Sequence, residues 1–316
     1  MMAIWLGRAG LTFLALLVLS SPFAYASFTS WRNELKRELI KNSTVVMTAR
    51  GPVEYAQIGH GSPVLMFHGS PSGYDGTLNY LEATRAELKF RYISPSRPGY
   101  LRTPLSVGRT PKEQADAFAA LLDVLGIKRV AVIATSGGGP SGLQFALNYP
   151  DRCSALVLQE AVTAKQTKFP FSSTPFIYDD WLSWLEREFG GWYWRVRAPH
   201  DPDQAAIALS FLDSIAPRAQ REAGRLNDAE QFALIGDWPL DRIRCPTLIV
   251  HGAADQNVPL AGPVRAHALI ANSELVVLPN EGHMMLITRH TEVDALISAF
   301  LVKHTEVEDR TSADAR

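Results

Sequence analysis

The chain of 316 residues is long enough for one large α/β domain or two small ones. Its hydrophobic content of 47% and its charged content of 20% are ordinary for a globular protein with a full core. The net charge of −1 gives no electrostatic reason to expect a nucleic acid or an anionic membrane surface as a partner.

The first 26 residues follow the pattern of a signal peptide. Arg8 provides a positive charge, the segment 11–19 is almost entirely apolar, and Ala24-Tyr25-Ala26 provides a small-x-small cleavage site. The apolar segment is much shorter than the roughly 20 residues that cross a membrane as a helix. We therefore expect export to the periplasm or the medium, cleavage after Ala26, and no stable membrane span in the mature protein. An uncleaved N-terminal membrane anchor is the alternative.

Apolar runs and helical patterns alternate along most of the chain. Strands are predicted at residues 44–48, 53–58, 64–67, 90–94, 130–135, 155–158, 247–250 and 275–278. Helices are predicted at residues 31–40, 76–88, 111–125, 140–148, 260–270 and 292–301. The first two strands flank a Gly-Pro turn and are expected to form an edge hairpin. The remaining alternation predicts a doubly wound, mostly parallel sheet.

The alternation is interrupted from residue 162 to residue 241. This insert has a mostly helical pattern without a predicted strand, and it contains five of the seven tryptophans. Those five are Trp181, Trp184, Trp192, Trp194 and Trp238. The pattern predicts a core built from residues 27–161 and 242–302. It also predicts a disordered tail over residues 303–316, which are charged and poor in apolar side chains.

The stretch 130–143 passes from a buried strand through Ser136 and a run of glycines into a helix. Strand, tight serine turn and helix is the layout of a nucleophile elbow, in which the serine oxygen stands clear of the sheet. The same stretch formally matches the G-x-G-x-x-G spacing of a dinucleotide-binding loop. Against that reading, the chain shows no second βαβ half, and Pro140 removes one N–H from the phosphate cradle. A Walker loop is a separate alternative, and it is excluded because no Lys-Ser or Lys-Thr pair follows. A plain glycine-rich turn is the third alternative.

Later strands end in the side chains that a serine nucleophile requires. A serine hydroxyl needs a histidine to take its proton and usually a carboxylate to orient that histidine. Asp255 follows the strand 247–250, and His283 follows the strand 275–278. Reactive groups of a parallel sheet gather at the carboxyl ends of its strands. Either residue alone is more often structural, but their joint position at strand ends favours a catalytic site.

From about residue 45 to residue 301 the chain resembles serine α/β-hydrolases of the capped branch that includes esterases and haloperoxidases. The resemblance is carried by His68-Gly69-Ser70-Pro71, Arg97-Pro98-Gly99-Tyr100, Thr135-Ser136-Gly137-Gly138, residues 246–252 with Asp255, and Gly282-His283. It implies an α/β-hydrolase fold, with the insert as a helical cap over residues 162–241. It also implies Ser136 as the nucleophile, His283 as the general base and acid, and Asp255 as the orienting carboxylate.

The resemblance further implies an oxyanion hole made by the backbone N–H groups of Gly137 and Ser70. Ala134 departs from the family, because the elbow usually has glycine at that position. Glu160 ends the preceding strand, where some relatives place their carboxylate, and competes with Asp255 for that role. A serine nucleophile argues against haloalkane dehalogenases and epoxide hydrolases of this fold, which use an aspartate.

The expected activity is cleavage of an ester, or a related carboxyl derivative, of a small apolar substrate through an acyl-Ser136 intermediate. No cofactor is expected, and no metal site, because the chain has no Cys/His cluster with ligand spacing. One alternative is a carbon–carbon bond hydrolase or a cofactor-free haloperoxidase that uses the same triad. The contrasting alternative is a ligand receptor on the same fold.

Two further features each have two interpretations. The tryptophans of the insert either line an apolar substrate pocket or pack the cap helices together. Cys153 and Cys245 are expected to lie level on neighbouring strands. They form a disulfide if the compartment is oxidising, or they are two small buried side chains.

Overall fold

The computed structural model describes residues 21–84, 88–167, 180–197 and 202–305. Its centre is an eight-stranded sheet with the strand order β1-β2-β4-β3-β5-β6-β7-β8. The strands are β1 Thr44–Thr48, β2 Gly51–Ile58, β3 Pro63–Phe67, β4 Arg91–Pro95, β5 Val130–Thr135, β6 Cys153–Gln159, β7 Thr247–Gly252 and β8 Ser273–Leu278. β1 and β2 form the predicted antiparallel edge hairpin, and every pair from β4 to β8 is parallel.

Helices cover both faces of the sheet. They are α1 Pro22–Lys41, α2 Tyr74–Ala83, α3 Pro111–Val124, α4 Gly139–Asn148, α5 Asp180–Arg197, α6 Pro202–Ser214, α7 Glu222–Ala233, α8 Ala261–Leu269, α9 Met285–Thr288 and α10 His290–Thr305. Successive residues of β5 point to opposite faces. Val132 therefore packs with Phe118 of α3 in one core, and Ile133 packs with Phe300 of α10 in the other. This confirms the predicted doubly wound, mostly parallel arrangement.

The predicted leading helix is longer than the sequence pattern indicated. It begins at Pro22 rather than at residue 31, because Pro22 occupies its first turn and Ser21 Oγ accepts a hydrogen bond from the Ala24 N–H at 3.5 Å. The predicted cleavage site after Ala26 therefore lies within the first turns of α1. The rest of the predicted signal peptide, residues 1–20, lies outside the described residues. Among the described residues, no helix is long and apolar enough to cross a membrane.

The C-terminal helix also extends beyond its predicted end. α10 continues to Thr305, whose hydroxyl donates to the carbonyl of Leu301 and whose side chain is buried. The predicted tail therefore loses its first three residues to the helix, and residues 306–316 lie outside the described part of the chain.

The insert contains α5, α6 and α7, and no strand lies in the part of it that the structure describes. Trp181 stacks on Phe28 of α1 with ring centroids 3.8 Å apart, and Trp184 is buried in the same cluster. Trp238 packs against the core clusters. The three tryptophans are therefore packing residues, but Trp181 and Trp184 join the insert to α1 rather than one cap helix to another. The side chains of Trp192 and Trp194 lie outside the described ones.

Cys153 and Cys245 lie level with each other, as predicted from their positions before β6 and β7. Both are buried free thiols, and their Sγ atoms are 3.6 Å apart. A disulfide bond is about 2.05 Å long, so the hypothesised bond is not formed in this structure. The other interpretation, two small buried side chains, describes the pair.

Candidate active site

Ser136 lies at the sharp junction between β5 and α4. Its φ of +47° places it in the left-handed region, which an L-residue adopts only where the surroundings enforce it. The enforcement comes from close packing, because a Cβ on Gly138 would lie 2.1 Å from the carbonyl oxygen of Phe67. A Cβ on Gly139 would lie 2.4 Å from the carbonyl oxygen of Val162. Glycine at both positions lets the turn pass between two neighbouring strand ends.

The unusual Ala134 is accommodated from the helix side of the elbow. A Cβ on Gly142 of α4 would lie 2.5 Å from the Cβ of Ala134, which is far closer than two carbon atoms can approach. The space for the Ala134 methyl group is therefore left by the missing side chain of Gly142. Alanine at position 134 therefore causes no clash between strand and helix, because the helix has glycine at the facing position 142.

A continuous chain of hydrogen bonds joins the three residues predicted at the strand ends. Ser136 Oγ lies 2.9 Å from His283 Nε2, and His283 Nδ1 lies 2.8 Å from Asp255 Oδ2. A carboxylate can only accept, so Nδ1 carries the proton in this pair. The neutral imidazole then presents an unprotonated Nε2 to the serine hydroxyl. This is the geometry in which a histidine can remove a proton from a serine.

Asp255 is held in its ionised form. Its other carboxylate oxygen, Oδ1, accepts hydrogen bonds from the backbone N–H groups of Asn257 at 2.8 Å and Val258 at 2.9 Å. Burial opposes the charge, but the hydrogen bond and charge of His283 outweigh burial and hold the pKa of Asp255 below its ordinary value of 3.8. Asp255 is therefore negative throughout the neutral range and can stabilise an imidazolium on His283.

Glu160, the competing carboxylate, contacts the backbone rather than the imidazole. Its Oε1 accepts a hydrogen bond at 3.0 Å from the N–H of Met285, two residues after His283. Glu160 also has a φ of +48°, in the left-handed region. Burial, and to a lesser degree the charge of Asp255, raises the pKa of Glu160 well above its ordinary value of 4.5. The geometry suits support of the histidine loop.

Replacement of Glu160 by glutamine is expected to stabilise the folded protein at neutral pH. Because the folded pKa is raised, the folded protein keeps a proton that the unfolded chain releases above pH 4.5. The contribution of this carboxyl to stability is full below that pH and is lost as the pH rises toward the folded pKa. Glutamine keeps an acceptor for Met285 and does not titrate.

The measurement is urea unfolding of wild type and Glu160→Gln from pH 4 to pH 8. The free energy of unfolding of the variant relative to wild type should rise with pH from about pH 4.5, the ordinary pKa of a glutamate. A difference that is constant across the series would contradict the raised pKa.

His251 supports the turn that carries Asp255, and the sequence analysis gave it no role. Its side chain is fully buried beside the carboxylate, with Nε2 donating to the carbonyl oxygen of Val258 at 2.8 Å and lying 3.4 Å from Asp255 Oδ2. Burial lowers the pKa of His251 below 6.5, so its ring is neutral. It ties together the two ends of the turn that holds Asp255. The signal in the sequence was a histidine at the end of a buried strand, four residues before the acid.

The loop after β3 lies against the elbow. A Cβ on Gly137 would lie 3.1 Å from the backbone nitrogen of Ser70, and one on Gly69 would lie 3.2 Å from the Cβ of Ser136. The structure therefore brings the two predicted oxyanion-hole residues, Ser70 and Gly137, side by side next to Ser136. Each carries a backbone N–H that can donate to a negative oxygen at this position.

Apolar side chains of the insert approach the same place. Phe232 of α7 has its Cζ 3.2 Å from the position that a Cβ on Gly137 would take. It belongs to a buried cluster with Val162, Ile235 and Val258. The surroundings of the serine are thus apolar on the cap side. In the described part of the chain, no group of three or more His, Cys, Asp or Glu side chains could hold a metal ion.

Comparisons with known proteins agree with this architecture. A family model described as alpha/beta hydrolase fold matches residues 62–290. An uncharacterized hydrolase of Bacillus subtilis, YcgS, is 31% identical over 79% of this chain and 95% of that protein. A 2-hydroxy-6-oxononadienedioate/2-hydroxy-6-oxononatrienedioate hydrolase of Pseudomonas putida is 29% identical over 73% of this chain and 85% of that protein. The structure of an alpha/beta hydrolase fold protein from Nakamurella multipartita matches with a TM-score of 0.68 and 34% identity, over 77% of this chain and 92% of that chain.

Proposed function

Since the chain belongs to the alpha/beta hydrolase fold family, we propose that it is a serine hydrolase that cleaves an ester, or a related carboxyl derivative, of a small apolar substrate. The observation that carries the proposal is the hydrogen-bonded chain from Asp255 through His283 to Ser136. This series of hydrogen bonds ends at Ser136, beside two backbone N–H groups in the turn and loop that flank the serine. A nucleophile, a base and a place for a developing negative charge are thus within reach of one carbonyl group.

The reaction follows from the protonation states of the three side chains. Ser136 Oγ attacks the carbonyl carbon while His283 Nε2 takes its proton, and Asp255 stabilises the resulting imidazolium. The negative oxygen of the tetrahedral intermediate accepts hydrogen bonds from Gly137 and Ser70. His283 then gives the proton to the leaving alcohol, which departs and leaves an acyl group on Ser136. Water, deprotonated by His283, attacks the acyl group, and the acid product leaves with Ser136 regenerated.

The apolar nature of the substrate is inferred from the groups that face the serine. Phe232 and the cluster around it favour hydrocarbon over charge at this position. Arg97 lies near the loop after β3, but both of its terminal nitrogens are engaged by Asp228. Its positive charge is therefore already neutralised, and a substrate carboxylate gains little from it.

A carbon–carbon bond hydrolase is the second candidate. The observation that favours it is the 29% identity to the Pseudomonas putida dienedioate hydrolase, over 85% of that protein. The same three side chains can serve that reaction, so the triad geometry does not separate the two activities. A substrate panel separates them, with p-nitrophenyl esters of two to eight acyl carbons in one arm and 2-hydroxy-6-oxo-dienoates in the other. A higher kcat/KM for the dienoates than for the esters would identify the protein as a carbon–carbon bond hydrolase instead of an esterase.

Covalent labelling tests the proposal directly. An activated serine oxygen attacks the phosphorus of a fluorophosphonate and displaces fluoride, which leaves a stable phosphonyl ester on the serine. The reagent should therefore label this protein at Ser136 within minutes. Peptide mass mapping locates the label. Labelling together with turnover supports a working hydrolase. A protein that is stabilised by small ligands but neither labels nor turns over any member of the panel is a receptor. A cofactor-free haloperoxidase would label and would also halogenate monochlorodimedone when given hydrogen peroxide, bromide and a carboxylic acid such as acetate, from which it forms the oxidising peracid.

Export is part of the proposal and rests on the N-terminal residues alone. The charge of Arg8, the apolar segment 11–19 and the small residues around Ala26 support it. N-terminal sequencing of the mature protein from its native cell is the test. A mature chain that starts at Ser27 supports cleavage, and one that starts at Met1 supports the membrane-anchored alternative.

A further inference from the structure

A buried network joins the cap helix α7 to the core. Asp228 of α7 is 2% exposed and forms a two-point ion pair with the guanidinium group of Arg97, at 2.7 and 2.6 Å. The hydroxyl group of Tyr100 donates to the same carboxylate. Burial alone would weaken the charge on Arg97, but Asp228 and Tyr100 raise the pKa of Arg97 above its ordinary value. A single carboxylate of the cap therefore fixes two side chains of the loop after β4.

Those two side chains in turn hold the loop after β3. Arg97 Nε donates to the carbonyl oxygen of His68 at 2.9 Å, and the Arg97 backbone N–H donates to His68 Nε2 at 2.8 Å. Tyr100 gives its only proton to Asp228, so its 2.8 Å contact with Ser70 Oγ is a hydrogen bond that Ser70 donates. The position of Ser70 thus depends on Asp228 through Tyr100.

The histidine in this network is held in one protonation state. Burial, followed by the charge of Arg97, keeps the pKa of His68 well below its ordinary value of 6.5. Its Nδ1 donates to the Gly69 carbonyl oxygen at 2.8 Å, and its Nε2 is the acceptor for Arg97. Both ring nitrogens are therefore used to fix the backbone that leads into Ser70.

Backbone contacts seat the same part of the cap on the core. The N–H of Gly224 donates to the carbonyl oxygen of Gly99 at 2.8 Å, and the N–H of Leu101 donates to the carbonyl oxygen of Gln220 at 2.7 Å. A Cβ on Gly224 would lie 2.2 Å from the ring of Tyr100, so glycine is needed for this approach. Residues 220–228 cannot leave the core without breaking the buried ion pair.

We propose that Asp228 is a positioning residue of the oxyanion hole, through which the cap fixes the backbone N–H of Ser70 relative to that of Gly137. This inference rests on the proposed function, because an oxyanion hole acts only in a reaction that develops negative charge on a substrate oxygen. Such donors are effective when they are already 2.7–3.1 Å from the oxygen at the moment charge develops. A loop that shifts by a few tenths of an ångström loses part of that stabilisation in the transition state while the substrate still binds.

The test separates positioning from general stability with a Tyr100→Phe variant. This change removes the hydroxyl group that links Ser70 to Asp228 and keeps the ring. With active sites counted by fluorophosphonate, kcat is expected to fall about tenfold or more, a fraction of the full loss of an oxyanion donor, and KM should stay within about threefold. The affinity for a trifluoromethyl ketone, which adds to Ser136 and carries a negative oxygen, should fall by the same factor as kcat/KM.

Two more variants complete the experiment. Asp228→Asn is expected to lower kcat further than Tyr100→Phe does. It also leaves the charge of Arg97 buried without its partner, which can prevent folding. If Asp228→Asn does not fold, the Tyr100→Phe result decides. Tyr149→Phe is the matched control, because the Tyr149 hydroxyl also donates to an aspartate, Asp116, at 2.9 Å, at the opposite end of the sheet. Its kcat and ketone affinity should match wild type.

The outcomes are distinguishable. An active wild type with a Tyr100→Phe variant whose kcat and ketone affinity stay within about twofold of wild type overturns the inference alone. A loss explained entirely by fewer labelled sites and a lower melting temperature also overturns it, because it indicates a structural role. A wild type that neither hydrolyses the esters nor binds the ketone overturns the proposed function, and the inference with it.

Discussion

A Ser136→Ala variant is expected to lose turnover of a short-chain p-nitrophenyl ester by at least about 10⁴-fold, because the remaining groups can only polarise the carbonyl and position water. The variant should stay folded. Alanine keeps the Cβ and the same backbone demands at a φ of +47°, and the backbone carbonyl of residue 136 still accepts from the N–H of Val162 at 2.9 Å. The change in the free energy of unfolding should remain within about 1 kcal/mol.

The measurement compares kcat/KM and urea unfolding for wild type, Ser136→Ala and Ser141→Ala. Ser141 is the matched control, since it is a buried serine of α4, the helix that follows the elbow, and its hydroxyl donates to Gln114 at 2.8 Å. Ser141→Ala should keep turnover and fluorophosphonate labelling, with a loss of about 1 kcal/mol in stability from the missing hydrogen bond. Unchanged turnover in Ser136→Ala would remove the proposed mechanism.

Asp255→Asn is expected to lower kcat by about 10³- to 10⁴-fold, because it changes which ring nitrogen of His283 carries the proton. Two backbone N–H groups, those of Asn257 and Val258, donate to Asp255 Oδ1. An amide at this position must therefore place its carbonyl oxygen there and turn its NH₂ group toward His283. His283 would then accept at Nδ1 and carry its proton on Nε2, the nitrogen that faces Ser136. A protonated Nε2 cannot take the proton of the serine.

Glu160→Gln is the companion variant for this experiment. Since Glu160 accepts from the backbone N–H of Met285 and burial favours its neutral form, glutamine keeps the contact. Its kcat should stay within about tenfold of wild type. The pair is measured by steady-state kinetics at pH 6 to 9, with labelling to count active sites. An inactive Glu160→Gln next to an active Asp255→Asn would reverse the assignment of the carboxylate.

The central strands β5, β6 and β7 were predictable because their residues are buried on both faces. Runs such as residues 130–135 have no polar side, and their short, β-branched composition is typical of strands in the interior of a parallel sheet. The ends of α1 and α10 were predicted less well, because they depend on local caps and side-chain contacts. Pro22 and Ser21 start α1 inside the predicted signal peptide, and Thr305 extends α10 into the predicted tail.

The side chains at the strand ends were predictable for the same topological reason. A parallel sheet brings the ends of β5, β7 and β8 to one edge, so Ser136, Asp255 and His283 could be paired from their order alone. The network around Asp228 was not predictable, because Arg97 and Asp228 are 131 residues apart and no sequence pattern indicates that they pair. The packing of Trp181 on Phe28 likewise joins distant segments that carry only general apolar character.

Positions 134 and 142 together have room for only one methyl group. This restricts the order in which the two residues could change during evolution. Alanine at both positions would place two methyl carbons 2.5 Å apart, so it is not a viable intermediate. A lineage that moves the glycine from helix to strand must first pass through glycine at both positions, which leaves only a small void. A search that demands glycine two residues before the serine would overlook chains that, like this one, have alanine there and glycine at position 142 of the helix.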